Sequence, residues 1–495
     1  MEVMGYPIPF IKWLRTMYSV TQMSILNGTE VAGTISDFHS VRQGCPLSMH
    51  LFVIYIEPLL TRLSTVLNGI NLFGTKVTVR AMVDDVAIFV SSDSDIINAG
   101  EVLDQFCNWT KARMNKQKTK ALGLGSWRSR SRWPLAWLES VPTLSLLGIK
   151  FSPSIQETMS RLWDTAYGHL IGQLRENASR QFTIYQKVNY LKAKVLSRTI
   201  YIAQILPCPA NLCPKILSAI VRFIWLGKIE KPQRCVVFRK IPEGGLSLTE
   251  PSLFYKALFL RPLFNALTEP ESPESSLLRY WMAFSLRKHL PNIYKGNNTP
   301  VAVIERPFYL EEPVHQIKQL LEEGIISPNS RMVHRNIYAT WISKVTGPGK
   351  TELLYPHLDW KSIWRNTAAL KNTKIKETMF LFNQRLLPTR ARDHRIDSTT
   401  DPTCCFCNQE PESDEHIMLH CPSREISTLW LERTLRTHGC STIPMDFIRG
   451  QLGPVRNPRT SFALVAAYIY ATWKERREGR TPSTTEIESL WASIL

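Results

Sequence analysis

The chain has 495 residues, 44% of them hydrophobic, and carries a formal net charge of +18. That length suits roughly two to four domains with ordinary cores, and the positive balance suits an anionic partner. Nucleic acid fits better than membrane: no amphipathic anchor stands out, and the longest apolar stretch, Phe462 to Trp473, is too short to span a bilayer. The opening residues, with Glu2, Pro7 and Pro9, lack the basic region and apolar core of a secretory signal. Ten cysteines, with Cys404, Cys405, Cys407 and Cys421 crowded together, point to metal binding in a reducing compartment over a disulfide framework. An intracellular protein, nuclear or cytoplasmic, is expected.

In chain order, the first motif is Ser40, Val41, Arg42, Gln43, Gly44, Cys45, Pro46, Leu47, Ser48. Leu51, Phe52, Tyr55, Ile56, Leu59, Leu60 and Leu63 follow at helical spacing, so the Gly-Cys-Pro turn opens an amphipathic helix with Ser48 as N-cap candidate. Gly44 allows close backbone approach to a flat ligand, and Arg42 and Gln43 offer donors to a phosphate or base edge. Val77, Val79, Ala81 and Val83 then alternate with Thr78, Arg80 and Met82 before Asp84 and Asp85, and Val86 to Val90 is apolar. The acids therefore fall at a hairpin turn. Two adjacent carboxylates suit a divalent cation in a site that joins phosphates, although Asp also favours plain turns. Asn115 to Thr119 and Leu147 to Phe151 complete the series.

This order resembles the palm of a reverse transcriptase from LINE-type, non-LTR retrotransposons, over about residues 1–151. The resemblance implies that Arg42, Gln43 and Gly44 contact nucleotide and template, that Asp84 and Asp85 bind Mg2+, and that Lys118 protonates the departing pyrophosphate. It implies a primer-grip hairpin at Leu147 to Phe151, and an RNA template and DNA primer or target as partners. Met82 and Val83 stand where the family usually has Tyr and Ala, and Met49 where it usually has Pro. The family's first catalytic motif, with its metal-binding aspartate, is expected upstream of Met1; the first acids here, Glu2, Glu30 and Asp37, lack its strand context. Fingers and endonuclease are not matched either. Little or no polymerase activity is expected from this chain alone.

Residues 152–265 read as a helical thumb and its following segment. Val188, Leu191, Val195 and Ile202 form an apolar stripe, with Lys187, Lys194 and Arg198 on the opposite side, where a nucleic-acid-binding face or an ordinary solvated face both fit. Ser218 to Trp225 and Gly244, Gly245, Leu246 resemble the segment after the family's thumb. Residues 266–355 read as linker and connecting helices, with Thr268 to Ser276 as exposed linker.

Residues 356–495 form a basic C-terminal region. From Lys361 to Arg395 the net charge is +7, with Trp364 and Phe382 interleaved, which suits phosphate contact and base stacking or a solubilising surface. Cys404, Cys407, His416 and Cys421 have the spacing of a closed, structural Zn2+ site, within a module at about 404–421, which should help hold a cluster of Phe406, Met418 and Trp430. Cys405 and His420 compete for a place in it. Leu386 to Thr389, and Trp473 with Arg476 and Arg477, resemble the zinc-binding C-terminal region of the same family. The expected fold class is α+β: a partial palm with an antiparallel sheet and helices, a helical thumb and a mostly helical C-terminal region with the zinc module. Three functions stay open: part of an RNA-directed DNA polymerase, a non-catalytic RNA- or DNA-binding remnant, or the product of a decayed element.

Overall fold

The computed structural model describes residues 1–19, 22–35, 41, 44–72, 75–226, 232–269, 272–294 and 305–494. The chain divides into two compact units, one built on Met1–Thr158 with Glu269–Phe284, the other on Met159–Thr268, Ser285–Lys295 and Ile304–Leu495. The architecture is α+β, with small, mainly antiparallel ladders near the N-terminus and helices through the rest.

In the first unit, helix α1 (Ile8–Ser19) precedes the hairpin β1 (Met23–Asn27) and β2 (Glu30–Ile35). Helix α2 (Pro46–Val66) starts one turn earlier than the Ser48 reading: Cys45 is the N-cap and Pro46 the first helical residue. Proline is favoured there because its missing N–H is one of the helix's unpaired donors anyway. Leu59 and Leu63 of α2 are buried against Ala99, Val102 and Phe106 of α3 (Asp93–Thr110). The expected stripe continues toward the N-terminus of α2 only as half-buried or exposed residues, with Tyr55 39% exposed. The expected sheet is divided, among the described residues, into two-stranded ladders. These include β3 (Ile70–Leu72) with β4 (Thr75–Val77), and β5 (Val79–Met82) with β6 (Asp85–Ile88). A short parallel pair, β7 (Lys120–Ala121) and β8 (Glu139–Ser140), precedes β9 (Leu144–Leu146) and β10 (Ile149–Phe151). In the last hairpin Leu147 and Gly148 both have positive φ, 49° and 79°, as a two-residue type I′ turn requires.

The segment read as exposed linker contains helical ends instead. Thr268 closes the helix Pro251–Thr268, Pro273 opens the helix Pro273–Leu286, and Ser275 is fully buried.

Two apolar cores of the second unit lie wholly among the described residues. One joins Trp163 and Leu170 of α4 (Ile155–Glu176), Leu191, Ile220 and Trp364. The other surrounds the helix Pro458–Glu478, where Leu464, Val465 and Tyr468 are fully buried with Phe382, Met418 and Leu431. Gly244 and Gly245 are fixed by close approach: a Cβ would lie 2.4 Å from the Trp364 ring at the first and 2.1 Å from the Arg239 carbonyl at the second. Leu246 is fully buried beside them.

Candidate metal centres

Met82 pairs with Asp85 across the β5–β6 hairpin, leaving Val83 and Asp84 as its two-residue turn. Asp84 and Asp85 are exposed, and no hydrogen bond or ion pair to either carboxylate is present among the described residues. No third carboxylate, thiol or imidazole joins them into a metal-type cluster among those residues. Val83 has φ 55°, a region that β-branched residues avoid, so the turn is strained. The hairpin is steadied by the residues that flank its strands, where the Phe89 N–H donates to the Thr78 carbonyl at 2.7 Å. Nearby in sequence, Asp95 is fully buried and was not singled out as a functional residue. Its carboxylate accepts from the N–H groups of Asn68 (2.8 Å), Gly69 (3.0 Å) and Ser91 (3.4 Å), a structural duty.

Gly44 lies at φ 79°, just before the Cys45 cap, and is exposed. Arg42 and Gln43 lie outside the described residues, as do Asp37 and Ser40. Lys118 sits in the turn after α3, its N–H held by the Asn115 side chain at 3.1 Å, and its own side chain is exposed.

The thumb cations separate. Lys194 and Arg198 are exposed, but Lys187 is 4% exposed and donates to the carbonyls of Phe223 (3.2 Å) and Ile224 (2.9 Å). It thereby caps the C-terminal end of α7 (Leu212–Ile224), where a cation is favoured. The reading that placed Lys187 on a solvent face with the other two is corrected. Between α5 (Ile184–Tyr190) and α6 (Ser197–Ile205), residues Leu191–Leu196 form a π-helical segment. One extra residue in a turn rotates the faces before and after it by about 100°. Burial lowers the Lys187 pKa, while Glu377 acts to raise it.

The basic stretch 361–395 also differs from expectation. Trp364 and Phe382 are buried, with Trp364 Nε1 donating to Glu352 at 2.8 Å, so neither ring is available for base stacking. Lys361, Arg365, Lys371 and Lys374 remain on the surface.

At the C-terminal cluster the predicted spacing converges in space. One ligand atom from each of Cys404, Cys407, His416 and Cys421 lies within 4.8 Å of the others. Thr403 bridges Pro411, and Asn408, at φ 52°, turns the chain between the first two cysteines and the returning segment. A π-helical turn, His416–His420, delivers the imidazole, and the Cys421 N–H donates to the His416 carbonyl at 2.8 Å. Cys404 Sγ is 3.9 Å from Cys421 Sγ, and Cys407 Sγ is 3.4 Å from His416 Nε2. A tetrahedron with Zn–S of about 2.3 Å and Zn–N of about 2.0 Å has edges of about 3.8 Å and 3.5 Å, so the donor set fits a metal ion of this kind. His416 Nδ1 is 3.0 Å from Glu410 Oε2, the outer carboxylate that fixes the ring and leaves Nε2 for a metal.

The rivals fall away on geometry. The Cys405 thiol donates to Glu412 Oε2 at 3.3 Å and His420 is exposed, so neither belongs to the four-atom group. Burial pushes the Cys421 thiol up to about 11. Burial also opposes ionisation of Cys407, but backbone N–H groups of Glu410 and Gln409 and the His416 side chain outweigh it and bring the thiol down to about 7. Met418 joins the core as expected and Trp430 packs at its edge, whereas Phe406 faces Arg424, whose guanidinium lies 4.3 Å from the ring centre. Fully buried Glu412 pairs with Arg476 and accepts from the Arg390 N–H, tying the module to the helix Pro458–Glu478. Glu410, Glu412 and Arg424 escaped the sequence reading; Glu410 could have been suspected from its position between the cysteine and histidine pairs.

Residues 1–151 match the family described as reverse transcriptase (RNA-dependent DNA polymerase), and residues 349–430 match the family described as zinc-binding in reverse transcriptase. The chain thus carries a reverse-transcriptase-like domain and a zinc-binding module of the kind found with it. Among curated proteins it is similar to the Transposon TX1 uncharacterized 149 kDa protein of Xenopus laevis, at 31% identity over 119 residues. The aligned stretch is 24% of this chain and spans 9% of the relative's length. No helix among the described residues is long and apolar enough to cross a membrane.

Proposed function

We propose that the chain is part of an RNA-directed DNA polymerase of the LINE-type retrotransposon kind, copying RNA onto a DNA primer at its target. In this reading Asp84 and Asp85 hold Mg2+, Arg42, Gln43 and Gly44 stand near nucleotide and template, and Lys118 is the general acid. The observation that carries it is the pair of solvent-facing carboxylates at a hairpin tip, Asp84 in the two-residue turn and Asp85 opening β6, within the stretch similar to reverse transcriptases. Lys194 and Arg198 are the exposed thumb cations for the template–primer backbone. The C-terminal site takes Zn2+ and is structural, because four protein ligands close its shell. Work on nucleic acid, with thiols kept reduced, puts the protein inside the cell, in nucleus or cytoplasm.

Two carboxylates hold two metals poorly, so this chain by itself has little or no polymerase activity. A second reading, a non-catalytic RNA- or DNA-binding remnant, is favoured by the lack of a third carboxylate beside the pair among the described residues. Primer extension on an RNA template with Mg2+, beside the double variant Asp84→Ala, Asp85→Ala, separates the two. Synthesis by the wild-type chain that the double variant loses would overturn the inactivity. RNA affinity measured against salt tests binding itself: a slope near zero would remove both nucleic-acid readings.

A further inference from the structure

Arg424 is 2% exposed, and its Nε, Nη1 and Nη2 have no hydrogen-bond partner among the described residues. A buried guanidinium without acceptors is strongly disfavoured unless a negative charge stands near it. Its backbone is fixed three residues after Cys421: the Arg424 N–H donates to the Cys421 carbonyl at 2.9 Å, and its own carbonyl accepts from the Ser427 (2.9 Å) and Thr428 (3.1 Å) hydroxyls. The side chain lies over Phe406, which sits between Cys405 and Cys407 in the knuckle. Burial lowers the guanidinium's pKa, and the groups that act against this are Tyr468, Cys421, Cys404 and Cys405. No carboxylate among the described residues pairs with it. Of the module's buried acids, Glu412 is engaged by Arg476, and Asp414 lies 3.9 Å from both Arg385 and Arg449.

Neutral thiols are weak acceptors and carry no charge. Three thiolates and a neutral imidazole around a divalent ion carry a net charge of about −1, since metal binding requires the thiols to be deprotonated. We propose that Arg424 is the buried counter-cation of this metal–thiolate centre, a positioning residue whose missing electrostatic partner is supplied when the metal binds. The proposal rests on the metal reading of Cys404, Cys407, His416 and Cys421. It goes beyond that reading in assigning a fifth side chain a share of the metal affinity. Because the coupling is reciprocal, metal binding relieves an uncompensated buried charge, and the charge in turn favours the metal.

The sign of that coupling distinguishes it from simple packing. Replacing Arg424 by Met keeps bulk and removes charge, so the metal-free chain should lose no stability while the metal-bound centre weakens. The test uses the full chain, stripped of metal and titrated with Zn2+ against a chromophoric chelator. Arg424→Met and Arg424→Gln should each bind Zn2+ about 10- to 100-fold more weakly, the range for partners outside the ligand shell. Arg424→Lys, which keeps the charge, should recover most of the loss, and provides the comparison if a neutral variant does not fold. Iodoacetamide should alkylate the Zn2+-loaded thiolates faster in the neutral variants. Equal affinity in wild type and Arg424→Met would overturn the role of Arg424 and leave the metal site standing. So would a loss of melting temperature as large without metal as with it. Failure of the wild-type chain to bind Zn2+ would instead remove the metal site, and the proposal with it.

Discussion

At the tip of the β5–β6 hairpin two carboxylates stand in solvent, one in a strained two-residue turn and one opening β6, whereas the three thiols and imidazole of the C-terminal knuckle are held by the chain around them. The knuckle's ligands come from a bridge, a left-handed turn and a π-helical turn, and Glu410 orients the imidazole. Nothing comparable surrounds Asp84 and Asp85 among the described residues. A ligand set held by its own fold binds a metal with little reorganisation; a pair on an exposed turn depends on what approaches it. On the proposed function, one site serves the fold and the other depends on substrate, metal and further ligands.

The largest expected effect breaks the knuckle. Structural zinc contributes on the order of 10 kcal/mol in small zinc modules. Chelation, or Cys404→Ser with Cys407→Ser, should abolish hydrogen-exchange protection around residues 404–421, while Asp84→Ala with Asp85→Ala should leave that protection unchanged. Acid sharpens the same contrast. Cys407, brought down to about 7, and Cys421, pushed by burial up to about 11, must both lose protons to ligate. Zn2+ affinity should therefore fall as pH drops, most steeply below about 7, with protons released on binding, as calorimetry in buffers of different ionisation enthalpy would record.

In the core beneath the module, Leu464→Ala should cost about 2–5 kcal/mol by denaturant unfolding, because the residue is fully buried. Lys187→Ala should cost about 1–3 kcal/mol through the two carbonyls it leaves without a donor, yet leave the salt dependence of RNA binding unaltered. Lys194→Gln and Arg198→Gln should do the reverse, each lowering the salt slope by about 0.7 if it meets a phosphate of a single strand. The smallest effect is at the other site: Val83→Gly, by relieving a positive φ, should stabilise the hairpin by about 1 kcal/mol.

Extended, largely apolar runs on either side of a polar pair sufficed to place the β5–β6 hairpin but not its edges, since Val77 belongs to β4 and Val83 to the turn. The knuckle was nearly as legible, since short spacing leaves few ways to bring its ligands together, but Cys405 and His420 left the set open until their positions in space put them outside the four-atom group. Lys187 was not legible, because a π-helical segment breaks the 3.6-residue count on which its face was assigned. Trp364 and Phe382 misled for a related reason: aromatic residues among cations look the same whether the rings point outward or into a core. Arg424 was invisible because its significance lies in burial without a partner, which no local pattern encodes.

The central claim, that Asp84 and Asp85 form half of a polymerase metal centre, is tested most directly by titrating the chain with Mn2+ and following the free ion by electron paramagnetic resonance. The account predicts weak binding of Mn2+, displaced by Mg2+ and lost in the Asp84→Ala, Asp85→Ala variant. Binding that the double variant retains in full, or no binding by the wild-type chain, would contradict it.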